Sequence, residues 1–352
     1  MDLKEYLKQA IENEASDLHI TTGLPVVIRR FGSLYFLDDY ILKANDCQSF
    51  VDQCLTDEQK KVLEDMGEID FAYMLPGIGR FRVNAYRQRS TYAIAFRIIP
   101  TRIPALSELG LPEILYDLTN RQRGLILVTG PTGSGKSTTL AGMIDHINST
   151  RRCRIITIED PIEYLYIHNK SMINQREIGA DTKNYNNALR AALREDPDVI
   201  LIGEMRDAET IATALTAAET GHLVLSTLHT LGAAKTIDRI IDVFSPHQQG
   251  QVRSQLSTVL QGIVSQQLIR RADNLGRVVA TEVMIVIPAI SNMIRESRTM
   301  QINSSIHTGS EFGMHSMDTS LSMLVKEGKI TVESAMQYAM DPAALKKLLA
   351  VS

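Results

Sequence analysis

Apolar positions along this chain do not keep one period. Leu3, Tyr6, Leu7, Ala10 and Ile11 recur at helical spacing and predict an amphipathic helix at the start. Residues 17–20 (DLHI), 26–37 (VVIRRFGSLYFL) and the run from Arg80 to Ile99 read as strands, with a second helix expected from Asn45 to Met66. PGIG at 76–79 is a turn. After it Phe81, Val83 and Ala85 take one face of a strand, and Arg80, Arg82, Asn84 and Tyr86 take the other. Strands mixed with helices, without a regular strand-helix-strand rhythm, predict an α+β domain over residues 1–100.

Prolines at 100, 104 and 112 interrupt regular structure between Pro100 and Arg123. Residues 101–120 are therefore expected to link the first domain to a second one spanning 121–352. From Gly124 the rhythm becomes strand, helix, strand. Short, nearly continuous apolar runs at 154–160 (RIITIED), 198–204 (DVILIGE) and 222–229 (HLVLSTLH) fit buried parallel strands. Helices are expected at 184–196 and at 207–220, the latter stopped by Gly221. This alternation predicts a doubly wound α/β domain with a parallel sheet, and ligands outside the carboxyl ends of its strands. Further helices are expected from Ala233 to Val243 and from Pro246 to Arg271, then a strand at 277–287 and several short helices.

The most informative stretch runs from Gly124 to Ile144. Leu125 to Val128 reads as a buried strand, and a helix starts near Lys136. Between them Gly130, Pro131, Thr132, Gly133, Ser134 and Gly135 lead into Lys136, Ser137 and Thr138, the G-x-x-x-x-G-K-[ST] pattern in its required setting. Glycines let successive backbone N–H groups curl around an anion, and the helix N-terminus adds its dipole. Lys136 is expected to reach the β- and γ-phosphates, while the Ser137 hydroxyl ligates Mg²⁺. ATP and Mg²⁺ are the cofactors this pattern implies, with residues 130–138 binding the nucleotide.

Acidic groups at the ends of the later strands extend the picture. Glu204 closes the run Val199–Gly203, where a phosphate-loop enzyme needs an acid that holds Mg²⁺ directly or through water. EDPIEY at 159–164 offers Glu159, Asp160 and Glu163 as general bases toward a water in line with the γ-phosphate, and spacing does not choose between them. His222 and His229 bracket one strand seven residues apart, which puts their side chains on opposite faces. They read as hydrogen-bonding strand-end residues rather than a metal pair. Arg80 and Arg82 on one polar strand face read first as solvated; the functional alternative is a phosphate clamp joined by Arg97.

Composition narrows the class only modestly. With 352 residues, 44% of them hydrophobic and 22% charged, the chain can bury two ordinary cores. A formal net charge of −4 provides no global basic field to recruit nucleic acid. Cys47, Cys54 and Cys153 are scattered, which argues against a disulfide framework and a structural zinc. No apolar run approaches the ~18 residues of a membrane span, so no integral membrane segment and a cytoplasmic location are expected.

Taken in order, the motifs resemble those of the secretion-superfamily ATPases of type II and type IV secretion and of type IV pili, and among them the pilus retraction type. The likeness covers essentially the whole chain: ASDLH at 15–19, GPTGSGKST at 130–138, EDPIEY at 159–164, ALRAALREDPDVILIGEMRD at 188–207, TGHLVLSTLHT at 220–230 and GMHSMDTSL at 313–321. It implies a RecA-like phosphate-loop domain preceded by a smaller α+β, PAS-like domain. It makes Glu163 the catalytic base, Glu204 an atypical Walker B acid, and His222 and His229 active-site residues. Arg80, Arg82 and Arg97 become arginines that reach the nucleotide phosphates. It further implies a homo-oligomer, a hexameric ring, working at the inner membrane through a pilus platform protein. The longer N-terminal region and tetracysteine insertion of assembly-type relatives are not in this sequence. At 289–296 the chain reads AISNMIRE where retraction types carry AIRNLIRE, so Ser291 stands in place of the first arginine. An accessory retraction paralogue and an assembly or secretion motor are the alternatives.

Overall fold

The computed structural model describes residues 2–30, 32–100 and 102–350. The chain divides into two compact units, the first ending at Arg102 and the second beginning at Ile103.

In the first unit an opening helix, α1 (Leu3–Glu12), is capped by the Asp2 carboxylate, which accepts from the Lys4 N–H. It is followed by β1 (Asp17–Ile20), β2 (Val27–Arg30), β3 (Ser33–Phe36), α2 (Ala44–Cys54), α3 (Asp57–Met66), β4 (Glu68–Leu75), β5 (Gly79–Gln88) and β6 (Thr91–Ile99). The strands form one antiparallel sheet in the order β3-β2-β1-β6-β5-β4. One face is apolar: Leu18, Phe81, Val83 and Phe96 are buried against Leu3, Leu7, Phe50 and Val51 of α1 and α2. Phe81 and Phe96 meet edge to face at 6.2 Å.

Two expectations for this unit are corrected, and one strand was missed. The single strand expected at 26–37 is a hairpin: Arg30 pairs with Ser33 around a turn in which Gly32 has φ 82°. Phe31 lies outside the described residues. The single helix expected at 45–66 is two, because Leu55 is extended and Thr56 starts a new helix with a reciprocal Thr56–Gln59 capping box. The strand β4 was not foreseen, although Ile69, Phe71, Tyr73 and Leu75 alternate along it.

The linker expected at 101–120 begins at Thr101, outside the described residues. From Ile103 the chain already packs with the second unit, where Leu106, Leu115 and Leu118 enter the core. That unit is built on β7 (Gly124–Thr129), β8 (Arg154–Glu159), β9 (Met172–Glu177), β10 (Val199–Ile202), β11 (Leu223–Leu228), β12 (Leu260–Arg270) and β13 (Arg277–Ile285). The order across the sheet is β13-β12-β7-β11-β10-β8-β9. Every neighbouring pair is parallel except β12 with β13. Each residue of β7, β10 and β11 is buried, as near-continuous apolar runs in a covered parallel sheet require. Because β7, β11, β10 and β8 run the same way, their carboxyl ends open on one edge.

The helix expected from Pro246 to Arg271 is a correction in this unit: it stops at Val259, and Leu260–Arg270 is the interior strand β12, between β7 and β13. LSTVLQGIVSQQLI spaces its apolar residues in a way that suits either period, and Ile263 and Val264 are fully buried within the sheet. The edge strand β9 was also unforeseen. A last cluster, with Met317, Leu321, Ile330, Ala335 and Leu345, packs the C-terminal helices on Ile269 and Ala280.

Candidate active site

The loop after β7 has the conformation its glycines were expected to supply. Gly130, Gly133 and Gly135 have φ of 142°, 78° and 88°, values that side chains disfavour. At Gly130 there is also no room: a Cβ would lie 2.2 Å from the Gln266 carbonyl oxygen and 2.7 Å from Ser134 Oγ. Gln266, on β12, in turn donates from Nε2 to the Ser134 carbonyl at 2.8 Å. The helix Lys136–Thr150 then starts without a side-chain cap, its first N–H groups facing the loop.

Lys136 is buried, and its Nζ donates to the carbonyls of Gly130 (2.9 Å) and Pro131 (3.0 Å). Burial lowers its pKa, and the charges of Glu163 and Glu204 oppose that shift. Lys136 and Ser137 line a cleft together with Thr132, Glu159, Asp160, Glu163, Glu204 and His229. The four strands that were expected to converge on a ligand deliver side chains to this one place.

Each acid in the cleft has its own surroundings. Glu159 is buried, and its Oε1 accepts from Thr157 Oγ1 at 2.6 Å and Gln175 Nε2 at 3.1 Å. Burial raises its pKa, and these hydrogen bonds partly offset the rise. Asp160 and Glu163 are exposed to the cleft. Glu204 is buried at the end of β10 between two basic side chains: Oε2 lies 3.3 Å from His229 Nε2, and Oε1 accepts from Arg206. The other His229 nitrogen, Nδ1, is 3.4 Å from Thr132 Oγ1, so this ring ties the end of β11 to the phosphate loop. Thr227 Oγ1 donates to the Gly203 carbonyl at 2.6 Å and fixes the ends of β10 and β11 to each other.

His222 is not brought to the cleft of its own unit. It precedes β11 at the strand's other end, roughly 23 Å of extended chain from His229. Its Nδ1 sits 2.9 Å from the Ala217 carbonyl, so that nitrogen carries a proton. Arg80, Arg82 and Arg97 belong to the first unit, on the polar face of β5 and β6.

Sequence reasoning missed several residues. Tyr164, Tyr166, Tyr185 and Arg206 line the cleft, and the Tyr164 hydroxyl lies 2.9 Å from Thr138 Oγ1. Arg206 was visible in GEMRD, two positions after Glu204. Gln266 was hidden because its strand read as helix.

The fold and this site together define a phosphate-loop ATPase. The chain belongs to the Type II/IV secretion system protein family, whose model matches residues 1–311. It is 48% identical over 342 residues to the type IV pilus retraction ATPase PilT of Pseudomonas aeruginosa, which covers 97% of this chain and 99% of that one. It is 39% identical over 339 residues to the type IV pilus ATPase PilU of the same organism, covering 96% and 89% of the two chains. The crystal structure of the pilus retraction motor PilT with bound ADP superposes with a TM-score of 0.93 at 49% identity, covering 99% of each chain.

Two outcomes follow from the geometry. Gly130→Ala pushes the loop off the β12 backbone and should weaken nucleotide binding at least about tenfold, roughly 1.4 kcal/mol, in a fluorescent-nucleotide titration. Unchanged affinity would mean that the loop has slack at this position. For Glu159 the folded pKa is raised above its ordinary 4.5. The stability it contributes is therefore complete below that pH and lost as pH rises through the folded value. Glu159→Gln removes this titration, so urea denaturation should show the variant gaining on the parent as pH climbs above about 4.5. Parallel curves across pH would show that Glu159 ionises as freely folded as unfolded.

Proposed function

We propose that this chain is the motor of type IV pilus retraction: an Mg²⁺-dependent ATPase, assembled as a hexameric ring, that acts on the pilus through an inner-membrane platform protein. One observation carries the reading. Lys136, Ser137, Glu163 and Glu204 line a single cleft in a chain that aligns end to end with the retraction ATPase PilT.

The residues divide the work as follows. The backbone N–H groups of Gly130–Thr138 receive the phosphates, and Lys136 exchanges the Gly130 and Pro131 carbonyls for phosphate oxygens. Hydroxyl and carboxylate oxygens suit Mg²⁺, so Ser137 and Glu204 would hold it; when bound it neutralises charge on the phosphates. Glu163 is the base: it is exposed to the cleft, and its charge acts on Lys136. Glu159 suits that task less well, since its carboxylate is buried and already engaged by Thr157 and Gln175. His229 orients Glu204. His222 is assigned to the active site on the family likeness alone. Arg80, Arg82 and Arg97 supply positive charge to the γ-phosphoryl group as it transfers.

Ser291 favours a second reading. Its hydroxyl donates to the Ser257 carbonyl at 2.5 Å, joining helix Pro288–Arg295 to helix Pro246–Val259 where the retraction pattern places an arginine. That second reading is an accessory retraction ATPase.

Glu163→Gln should lower ATP turnover by about 10²–10⁴-fold while leaving nucleotide affinity within about threefold, read by phosphate release and by binding titration. Turnover at the parental rate would remove Glu163 from the mechanism. A strain lacking the gene should be crowded with surface pili and unable to twitch. Bald cells would instead mark an assembly motor, and unaltered pili would favour the accessory reading.

A further inference from the structure

Strand register places a row of charge across the polar face of the first unit's sheet. Asp17 on β1 lies opposite Arg29 on β2 and Arg97 on β6, and Arg97 lies opposite Arg82 on β5. Residues directly opposite share a face, so Arg29, Asp17, Arg97 and Arg82 line up across adjacent strands. Arg80 stands two positions from Arg82 on the same face.

Folding does not ask for this arrangement. Arg82 and Arg97 face each other directly, and like charges so placed destabilise a strand pair. The ion pair that relieves them adds little stability, because the Arg97 side chain is 67% exposed. A local rule broken without a stabilising return points to function.

Asp17 is the acidic member of the row, and its side chain is only 13% exposed. Its Oδ1 accepts from Arg97 Nε at 3.1 Å; its Oδ2 accepts from Ser16 Oγ at 2.8 Å and lies 3.9 Å from Arg29 Nε. The contact takes Arg97 by Nε and spends neither terminal nitrogen, the pair that grips an oxyanion side by side. The same charges act on His19, two residues along β1: burial lowers its pKa, Arg29 and Arg97 lower it further, and Asp17 opposes them.

We propose that Asp17 is a positioning residue for Arg97, holding the guanidinium by Nε so that its two terminal nitrogens are presented, already ordered, to phosphoryl oxygens. The proposal rests on the reading in which Arg97 meets the transferring phosphate. A flexible exposed arginine must give up rotamer freedom when it grips an anion, and a held one has given it up beforehand. Charge on the phosphoryl oxygens rises in the transition state, so the benefit falls on kcat more than on KM.

The test is a double-mutant cycle in the full-length protein: Asp17→Asn, Arg97→Ala and the pair, each measured for kcat, KM and thermal midpoint. Asp17→Asn should lower kcat about ten- to a hundredfold, with KM within about twofold and the midpoint unchanged. In the Arg97→Ala background the same substitution should then cost nothing more. Losses that multiply would overturn the proposal, as would a Asp17→Asn variant whose only defect is a lowered midpoint. If Arg97→Ala keeps the parental kcat, the assignment of Arg97 to the phosphoryl group fails first. If Arg97→Ala is slow and Asp17→Asn is not, only the positioning role fails. Asp17→Glu, which keeps the charge one methylene further out, should recover part of the loss.

Discussion

A backbone carbonyl on β12 occupies the space where any side chain at position 130 would sit. The rest of the site depends on that contact. The phosphate loop must curl back toward its own strand, and only a residue without Cβ can run this close to the neighbouring strand in that conformation. Gln266 supplies both halves of the support, its carbonyl oxygen against Gly130 and its side-chain amide on the Ser134 carbonyl. The phosphate loop is therefore held by a strand more than 130 residues away in sequence, and the insertion of β12 beside β7 is as much part of the site as the glycines are.

Once the loop is fixed, charge balance organises what surrounds it. Glu159, Asp160, Glu163 and Glu204 meet Lys136 and Arg206 in one cleft. A buried ammonium is stable only if its protons are received and its charge is answered, and Lys136 has both, through two loop carbonyls and two nearby carboxylates. On the proposed reading, arriving phosphates would replace these partners rather than create new ones, which keeps the cost of opening the site small. Glu204 follows the same logic: Arg206 on one oxygen adds to the charge of Lys136, and His229 lies within reach of the other oxygen.

Much of this was legible in the sequence because it is local. The phosphate loop, the strand-end acids and the alternation of β5 each depend on neighbours a few residues away, and each was found where its pattern stood. Failures came where tertiary context decided. Residues 260–270 suit helix or strand by period, and only the place between β7 and β13 selects the strand, so Gln266 stayed hidden with it. The break at Thr56 was different: the Thr-x-x-Gln capping box was on the page, and the apolar spacing on either side masked it. The choice among Glu159, Asp160 and Glu163 could not be made from spacing, because burial separates Glu159 from the others and burial is not a local property.

The arginines of the first unit show how register adds meaning to pattern. Alternation along β5 says only that Arg80 and Arg82 share a polar face, and a solvated face is the ordinary explanation. Pairing with β6 changes the odds, since it sets Arg82 directly against Arg97 and puts Asp17 on the far side of Arg97. The apolar face of the same sheet, with Phe81, Val83 and Phe96 buried on the helices, already supplies the packing that holds the unit together. Stability and charge are thus carried on opposite faces of one sheet. A face released from packing can hold mutually repelling arginines at modest cost, and on the proposed reading an anion with several oxygens turns their repulsion into binding.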